Sequence, residues 1–167
     1  MADKNKYVLY IVISILALIL LSTLIYSKFF ATIESKVYFA NNQASYLIAQ
    51  TREVKKKRLY FNLIQELIKG PSSDDLVATI PPQAKLLGVE VKNKTALVDF
   101  SKELKTSHWG GTAGETMTVY SVVNTLAQFN EIDKVKILIE GEEIETLAGH
   151  MELSKPLPFN SKIIKSE

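Results

Sequence analysis

The stretch from Thr112 to Gly141, TAGETMTVYSVVNTLAQFNEIDKVKILIEG, decides how the rest of the chain is read. Thr112 and Glu115 stand three residues apart before an apolar run. That is the spacing of a capping box, in which the hydroxyl takes one free N–H of the helix start and the carboxylate reaches back to another. Met117, Val119, Tyr120, Val122, Val123, Leu126, Ala127 and Phe129 then recur at helical spacing, with Ser121, Asn124, Thr125 and Gln128 on the remaining side. No charged residue occurs from Thr116 to Phe129. A helix facing water normally carries charge on its outer side, so this one is expected to be mostly buried, or else to offer a neutral polar face to a partner. After a turn through Asn130 and Asp133, Val135, Ile137 and Ile139 alternate with Lys134, Lys136 and Glu140. This predicts a strand with one core face and one wetter face.

Upstream of this unit, Leu87, Val89 and Val91 alternate, Lys92-Asn93-Lys94 turns the chain, and Ala96, Val98 and Phe100 alternate back, which predicts a hairpin. From Glu53 to Lys69, the apolar set Tyr60, Leu63, Ile64, Leu67 and Ile68 has helical spacing. Gly70-Pro71 stops that helix, glycine accepting a left-handed cap and proline forbidding continuation. Earlier still, Val37 and Phe39 precede the turn-rich Ala40-Asn41-Asn42-Gln43, and Leu47 and Ala49 alternate after it, so a first hairpin opens the folded part. Downstream of Gly141 the pattern weakens. Ile144 and Leu147 suggest a short strand, and Pro156 and Pro158 mark a tail with little regular structure. The fold expected is therefore α+β: one small sheet packed by two helices in the order helix-strand-strand-helix-strand, with an extra N-terminal β-hairpin.

The 167 residues, 47% hydrophobic and 23% charged, suit one globular domain plus one non-globular extra. The extra is N-terminal. From Tyr7 through Leu16 and Leu20 to Tyr26 no charge interrupts twenty residues rich in Leu and Ile, enough at a helical rise to span about 30 Å of hydrocarbon. This predicts a transmembrane helix and makes Tyr7, Leu16, Leu20 and Tyr26 membrane-anchor residues. A cleaved signal peptide is the competing account, but the apolar run exceeds what such a segment needs and Phe29 occupies the small-residue site before Ala31. Lys4 and Lys6 with the terminal amine, set against Lys28 and Lys36, bias the N-terminus to the inside. The divisions expected are residues 1–27 as N-terminal tail and membrane helix, 28–35 as linker, 36–158 as the domain and 159–167 as tail. Cysteine is absent, which excludes disulfides and a lipoprotein cysteine in this sequence. Setting aside Asp3, Lys4 and Lys6 leaves 18 basic against 17 acidic residues, a balance that argues against nucleic acid as a partner.

Several pieces of the chain, taken in order, resemble the GerMN domain family of sporulation and spore germination proteins. They are Leu67-Ile68-Lys69-Gly70-Pro71, Ile80-Pro81-Pro82 leading to Leu86-Leu87-Gly88-Val89, and Ala96-Leu97-Val98-Asp99-Phe100-Ser101. Gly114-Glu115, Val123-Asn124-Thr125-Leu126, Lys134-Val135, Gly141, Gly149-His150 and Pro156-Leu157 complete the set. The resemblance implies a domain at the bacterial cell surface or between two membranes, held by a lipid or a transmembrane segment, with a fold similar to the ring-building motifs of secretion and sporulation channels. The chain departs from the spore germination type in having one domain copy where that type carries two, and in lacking the lipoprotein cysteine.

Catalysis needs a convergent acid, base and nucleophile, and the material for one is thin. His108 and His150 are the two side chains that titrate near neutrality, no Gly-x-Ser-x-Gly elbow presents a serine, and two isolated histidines make a poor metal site. No enzyme activity, cofactor or metal is expected. His150 is expected to fix a turn. His108-Trp109, in a glycine-rich loop, is a candidate ligand loop that would stack on a sugar, with a tryptophan capping the core as the plainer account. Lys55, Lys56, Lys57 and Arg58, with Arg52, are placed around the first helix start, and Glu140, Glu142, Glu143 and Glu145 form an acidic turn. Both patches are either ordinary solvated ends or candidate interfaces. Opposite charges on one domain would allow head-to-tail contacts between copies, and the basic patch would equally suit anionic lipid headgroups near the anchor. Ser121, Asn124, Thr125 and Gln128 are the remaining candidate interface.

The function expected is a single-pass protein of the cytoplasmic membrane. Its extracytoplasmic domain would be a non-catalytic assembly or scaffold module of the envelope, whose partners are the membrane, other envelope proteins or further copies of itself. The alternative is a module binding cell-wall glycan or peptide through the loop from Ser107 to Gly114.

Overall fold

The computed structural model describes residues 2–165. Met1, Ser166 and Glu167, assigned above to the two tails, lie outside the described residues. Helix α1 (Ala2–Phe30) comes first, and its segment Asn5–Thr23 is long and apolar enough to cross a membrane, with none of it buried against the protein. An anchor and a signal sequence both meet that description.

The hairpin of β1 (Thr32–Asn41) and β2 (Leu47–Lys55) follows at once. Thr32–Ser35 therefore belongs to a strand and not to a linker, because Ile33 and Ser35 point inward in step with Val37 and Phe39 and pair across to Val54 and Arg52. Helix α2 is Leu59–Lys69, later than the Glu53 start expected, since Glu53–Lys55 is still paired in the sheet. Its apolar stripe buries Leu63, Ile64 and Leu67 completely, each contributing about 1.5–3 kcal/mol. It ends where Gly70, at φ 87°, donates its N–H back to the Leu67 carbonyl. A two-residue strand β3 (Leu76–Val77) pairs with β1, giving the antiparallel order β2-β1-β3.

The second sheet holds β4 (Leu86–Lys92), β5 (Thr95–Phe100), β6 (Lys134–Ile139) and β7 (Glu142–Glu143) in that order, with β8 (Leu157–Pro158) also on β6. Asn93 and Lys94 both have positive φ, the two-residue turn whose twist matches an antiparallel pair. Strands β5 and β6 are parallel, so a crossover must join them. That crossover carries the single turn α3 (Glu103–Thr106) and the long helix α4 (Thr112–Leu126). Helix α4 packs against both β1 and β6 and so lies between the two sheets. Its lack of charge follows: residues 117–119 and 121–126 are all buried. The expected sheet with its added N-terminal hairpin is thus present, the hairpin forming a sheet of its own with β3, and α2 and α4 pack against both sheets around a core running from Val37 and Phe39 through Leu63 and Val122 to Ile137.

Four local expectations change. The N-cap of α4 is Gly111, with no side-chain cap, and the Glu115 carboxylate turns away from the helix start. The wetter face of β6 is covered at Lys136, whereas Lys134 and Glu140 stay exposed as expected. Lys136 is only 4% exposed, and its ammonium donates to Glu143 (2.8 Å) and to the Ser154 carbonyl, both from the segment folded over the strand. The short strand after Gly141 is Glu142–Glu143, with Ile144 and Leu147 beyond it. The C-terminal tail also packs back: Phe159 meets Tyr38 edge-on at 6.2 Å, Ser161–Ile163 forms a 3-10 turn and Ile164 bridges to Leu47.

Candidate functional site

The loop between α3 and α4 is built by two consecutive glycines with positive φ, Gly110 at 77° and Gly111 at 75°, a conformation costly for any residue with a Cβ. This reversal sets His108 inward and Trp109 outward. Gly110 donates its N–H to His108 Nδ1 (3.0 Å), so that nitrogen carries the lone pair and Nε2 the proton. The Nε2–H faces the Thr118 hydroxyl at 3.0 Å, and that hydroxyl donates to the Thr79 carbonyl at 2.6 Å. Burial pushes the His108 pKa down, and the nearby charge of Glu115 only partly opposes this. A neutral imidazole with both nitrogens engaged is a strut, not a free base.

Trp109 is 58% exposed, so it does not cap the core. Its indole rims a pocket of about 390 Å³ whose other walls include Ala40, Ala78, Val77, Met117 and Thr118. The volume is within the range of small-ligand pockets and the lining is mainly apolar. Thr79 also lines it, and the buried Thr79 Oγ1 has no hydrogen-bond partner among the described residues. Sequence reasoning singled out Trp109 but missed Ala40, Val77, Thr79 and Met117. The i, i+3, i+4 set Gly114, Met117 and Thr118 marked a helix face, yet nothing local said which strand would stand opposite.

Glu115 holds this end of the molecule together. It is fully buried, and Oε1 accepts from Thr146 Oγ1 (2.7 Å) and from the N–H groups of Leu147 and Ala148 (both 2.8 Å). Oε2 accepts from the N–H of His150 at 2.8 Å. Burial raises the carboxyl pKa, but these hydrogen bonds together outweigh it and hold the group below the usual carboxylate range. The expected turn at Gly149-His150 is thus fixed through the backbone of His150, whose side chain is exposed, and by Glu115.

The remaining candidates separate. Ser121, Asn124 and Thr125 are completely buried and so cannot face a partner. Thr125 Oγ1 accepts from the N–H of Tyr38 (3.2 Å), and Asn124 clamps Asn160 through its N–H and carbonyl (both 2.9 Å). Gln128 is partly exposed but donates to the Lys36 carbonyl at 2.7 Å. The neutral face is sealed by this chain's own first strand and tail. Arg52 leaves the basic patch as well, since it lies in β2 and donates to the Gly70 carbonyl at 3.2 Å. Lys55 ends β2, Lys56 and Lys57 form the turn, and Arg58 is the α2 N-cap, all four exposed. Glu140, Glu142, Glu143 and Glu145 are exposed around the β6–β7 turn, with Glu143 tied to Lys136. Tyr60, at the α2 start, packs on Phe129 just before β6 begins, whereas the acidic turn follows the end of β6. The two patches are thus separated by the length of that strand, about 20 Å.

Among the described residues, no three His, Asp or Glu side chains gather as a metal site requires. The anchor candidates Tyr7, Leu16, Leu20 and Tyr26 are 60–68% exposed on α1.

A family model described as sporulation and spore germination, named Germane, matches residues 36–145. The spore germination protein GerM of Bacillus subtilis (strain 168) is 28% identical over 123 residues, covering 70% of this chain and 32% of that protein. The chain therefore spans about a third of the length of this curated relative. The solved first GerMN domain of GerM from Bacillus subtilis superposes with a TM-score of 0.65 at 28% identity, over 76% of this chain and 98% of that domain. The tandem GerMN domains of the same protein give 0.61 at 28% identity, over 78% of this chain and 45% of theirs. A putative lipoprotein from Clostridium perfringens gives 0.56 at 28% identity, over 77% and 88%.

Proposed function

Since the chain belongs to the Germane family of sporulation and spore germination, we propose that it is a membrane-anchored, non-catalytic assembly module of the bacterial envelope. It would grip a partner protein through the Trp109 pocket. The observation that carries this reading is the pairing of an exposed tryptophan with a mainly apolar cavity, beside which the His108 imidazole and the buried Glu115 carboxylate are both committed to holding structure. Aromatic anchors beside desolvated pockets are where protein interfaces concentrate their energy. Helix α1 supplies the anchor. It runs unbroken to Phe30, and Ala31 already bonds into the domain, so the span and the fold are mechanically continuous. With the N-terminus inside, the domain is extracytoplasmic.

Binding of cell-wall glycan is the second reading, favoured by the exposed indole, which suits stacking on a sugar ring. Sugar hydroxyls need several polar partners, however, and the walls beside Trp109 are mainly alanine, valine and methionine, with the Thr79 hydroxyl open among the described residues and the Thr118 hydroxyl already committed to the Thr79 carbonyl. An apolar side chain of a protein fits them better.

The test is a photo-crosslinking amino acid at position 77, an exposed wall of the same pocket, in the full chain with Trp109 kept, in its native cells, with adducts identified by mass spectrometry. Capture of an envelope protein, abolished by Met117→Glu, is the expected result. Capture of muropeptide supports the glycan reading, capture of a second copy makes the module self-assembling, and no adduct at all removes the pocket as an interface.

A further inference from the structure

Strand register places the basic turn beside the helix that would cross the membrane. Thr32, two residues after α1 ends, pairs with Lys55, and Lys56 donates its N–H to the Ala31 carbonyl at 2.8 Å. Four consecutive cations, Lys55 to Arg58, therefore sit at the end of α1, about 8 Å of helix beyond the Tyr26 end of the expected span. The turn is built rather than loose. Asn62 Nδ2 donates to the carbonyls of Lys55 (3.1 Å) and Lys57 (2.7 Å), and the Leu59 N–H donates to the Lys56 carbonyl (3.1 Å). The Arg58 guanidinium lies 4.0 Å over the Phe61 ring.

Locally, these residues work against the fold. Cations at a helix start oppose its dipole, and Arg58 adopts φ 60°, a region that favours glycine. Such a conflict marks a function outside the local structure. Glu34 and Glu53 face each other two pairs farther along the hairpin, and the Glu53 carboxylate accepts from the Thr32 hydroxyl at 2.6 Å. Charge thus alternates along the hairpin with its positive end nearest the helix.

We propose that the Lys55–Arg58 turn docks on anionic phospholipid headgroups of the bilayer that α1 spans. This holds the domain upright, with the Trp109 pocket facing away from the membrane. Each cation near such a surface shifts the docked population on the order of fivefold. The pocket touches Ala40, eight residues up β1 from Thr32, so docking sets its height at roughly 30 Å. A second copy fits the turn less well. Copies anchored in one membrane would hold their basic turns at one level and their acidic turns a strand length away, so unlike patches would not meet side by side. The inference rests on α1 remaining in the membrane as an anchor.

The experiment uses the full chain, which has no cysteine, labelled at Asn42→Cys in the distal β1–β2 turn. It is reconstituted in nanodiscs of phosphatidylcholine with and without phosphatidylglycerol, and energy transfer from the label to a lipid dye reports height. With phosphatidylglycerol, the label should take one narrow, distant position that broadens in high salt and in a K55Q/K56Q/K57Q variant. In phosphatidylcholine alone the distribution should be broad. Identical distributions in both lipids, or a triple variant that behaves as the parent, would overturn the docking while leaving the anchor intact. Failure of the chain to enter nanodiscs would overturn the anchor, and the docking with it.

Discussion

The two ends of the β1–β2 hairpin meet their surroundings by different physics. At the Thr32 end, four exposed cations follow the strand, so a partner there would be selected by its charge. At the Ala40 end, Tyr38, Ala40 and Leu47 are buried with Met117, and a pocket opens under an exposed tryptophan. One end acts over a screening length and weakens with salt. The other acts only on contact and depends on shape. The same two strands thus carry a long-range, forgiving end and a short-range, exacting one. The exacting end is the one the fold stabilises heavily, because the start of α4 is tied there to the loop at 146–150 by a buried carboxylate.

That asymmetry can be broken most severely at Glu115. Glu115→Ala leaves three backbone N–H groups and one hydroxyl without their acceptor, which should cost roughly 3–5 kcal/mol. Urea denaturation measures it, and Glu115→Gln should lose less because its carbonyl can still accept. A cost under about 1 kcal/mol for the alanine would mean that the carboxylate is not what holds the distal end.

Next in size is Trp109→Ala. Partner capture should fall at least about tenfold, as for an interface hot spot. Stability should move by no more than about 0.5 kcal/mol, since so exposed a side chain contributes little to the core. A large loss of stability would instead make Trp109 part of the fold.

Acidification sharpens the comparison further. The His108 pKa is depressed in the folded state, so the unfolded chain binds a proton first. Stability is complete above the unfolded value of about pH 6.5 and declines as pH falls through the folded value. Protonation also puts a hydrogen on Nδ1 and breaks the bond from Gly110, loosening the Trp109 loop. Indole fluorescence and urea midpoints should therefore change together below that pH, and His108→Gln should remove the step. Glu115, also depressed, acts with the same sign, but only below the usual carboxylate range near about pH 4.5.

The smallest effect belongs to the proximal end. K55Q/K56Q/K57Q should keep the parent's stability or gain a few tenths of a kcal/mol, because it relieves cations at a helix start. A thermal melt in the absence of lipid would show this. A loss above about 1 kcal/mol would place these lysines in the fold, not at a surface.

Much of the architecture was legible in the residues. The charge-free run after Thr116 announced a buried helix, Gly70-Pro71 stopped α2 at the right place, and alternation found both hairpins and β6. The site was less legible. Ser121, Asn124 and Thr125 read as a polar face awaiting a partner, and their partners are, in turn, the Thr118 carbonyl of the same helix, Asn160 and the Tyr38 N–H of β1. Thr112 and Glu115 had the spacing of a capping box, yet the carboxylate found four donors from a loop more than thirty residues away, which outcompete the one it could reach locally. Lys136 read as the wet side of a strand before the covering segment was known.

The sequence by itself determined where the long helices and the main strands lie, though not all their ends, and that the first helix is apolar enough for a bilayer. Those properties follow from periodicity and composition, which act between near neighbours in the chain. Only the tertiary structure decided which polar groups are spent inside the protein, that Trp109 stands outside it, and that the basic turn sits against the end of α1. Hydrogen-bond partners, pockets and charge placement depend on segments brought together from far apart in the chain, and no local pattern records those meetings.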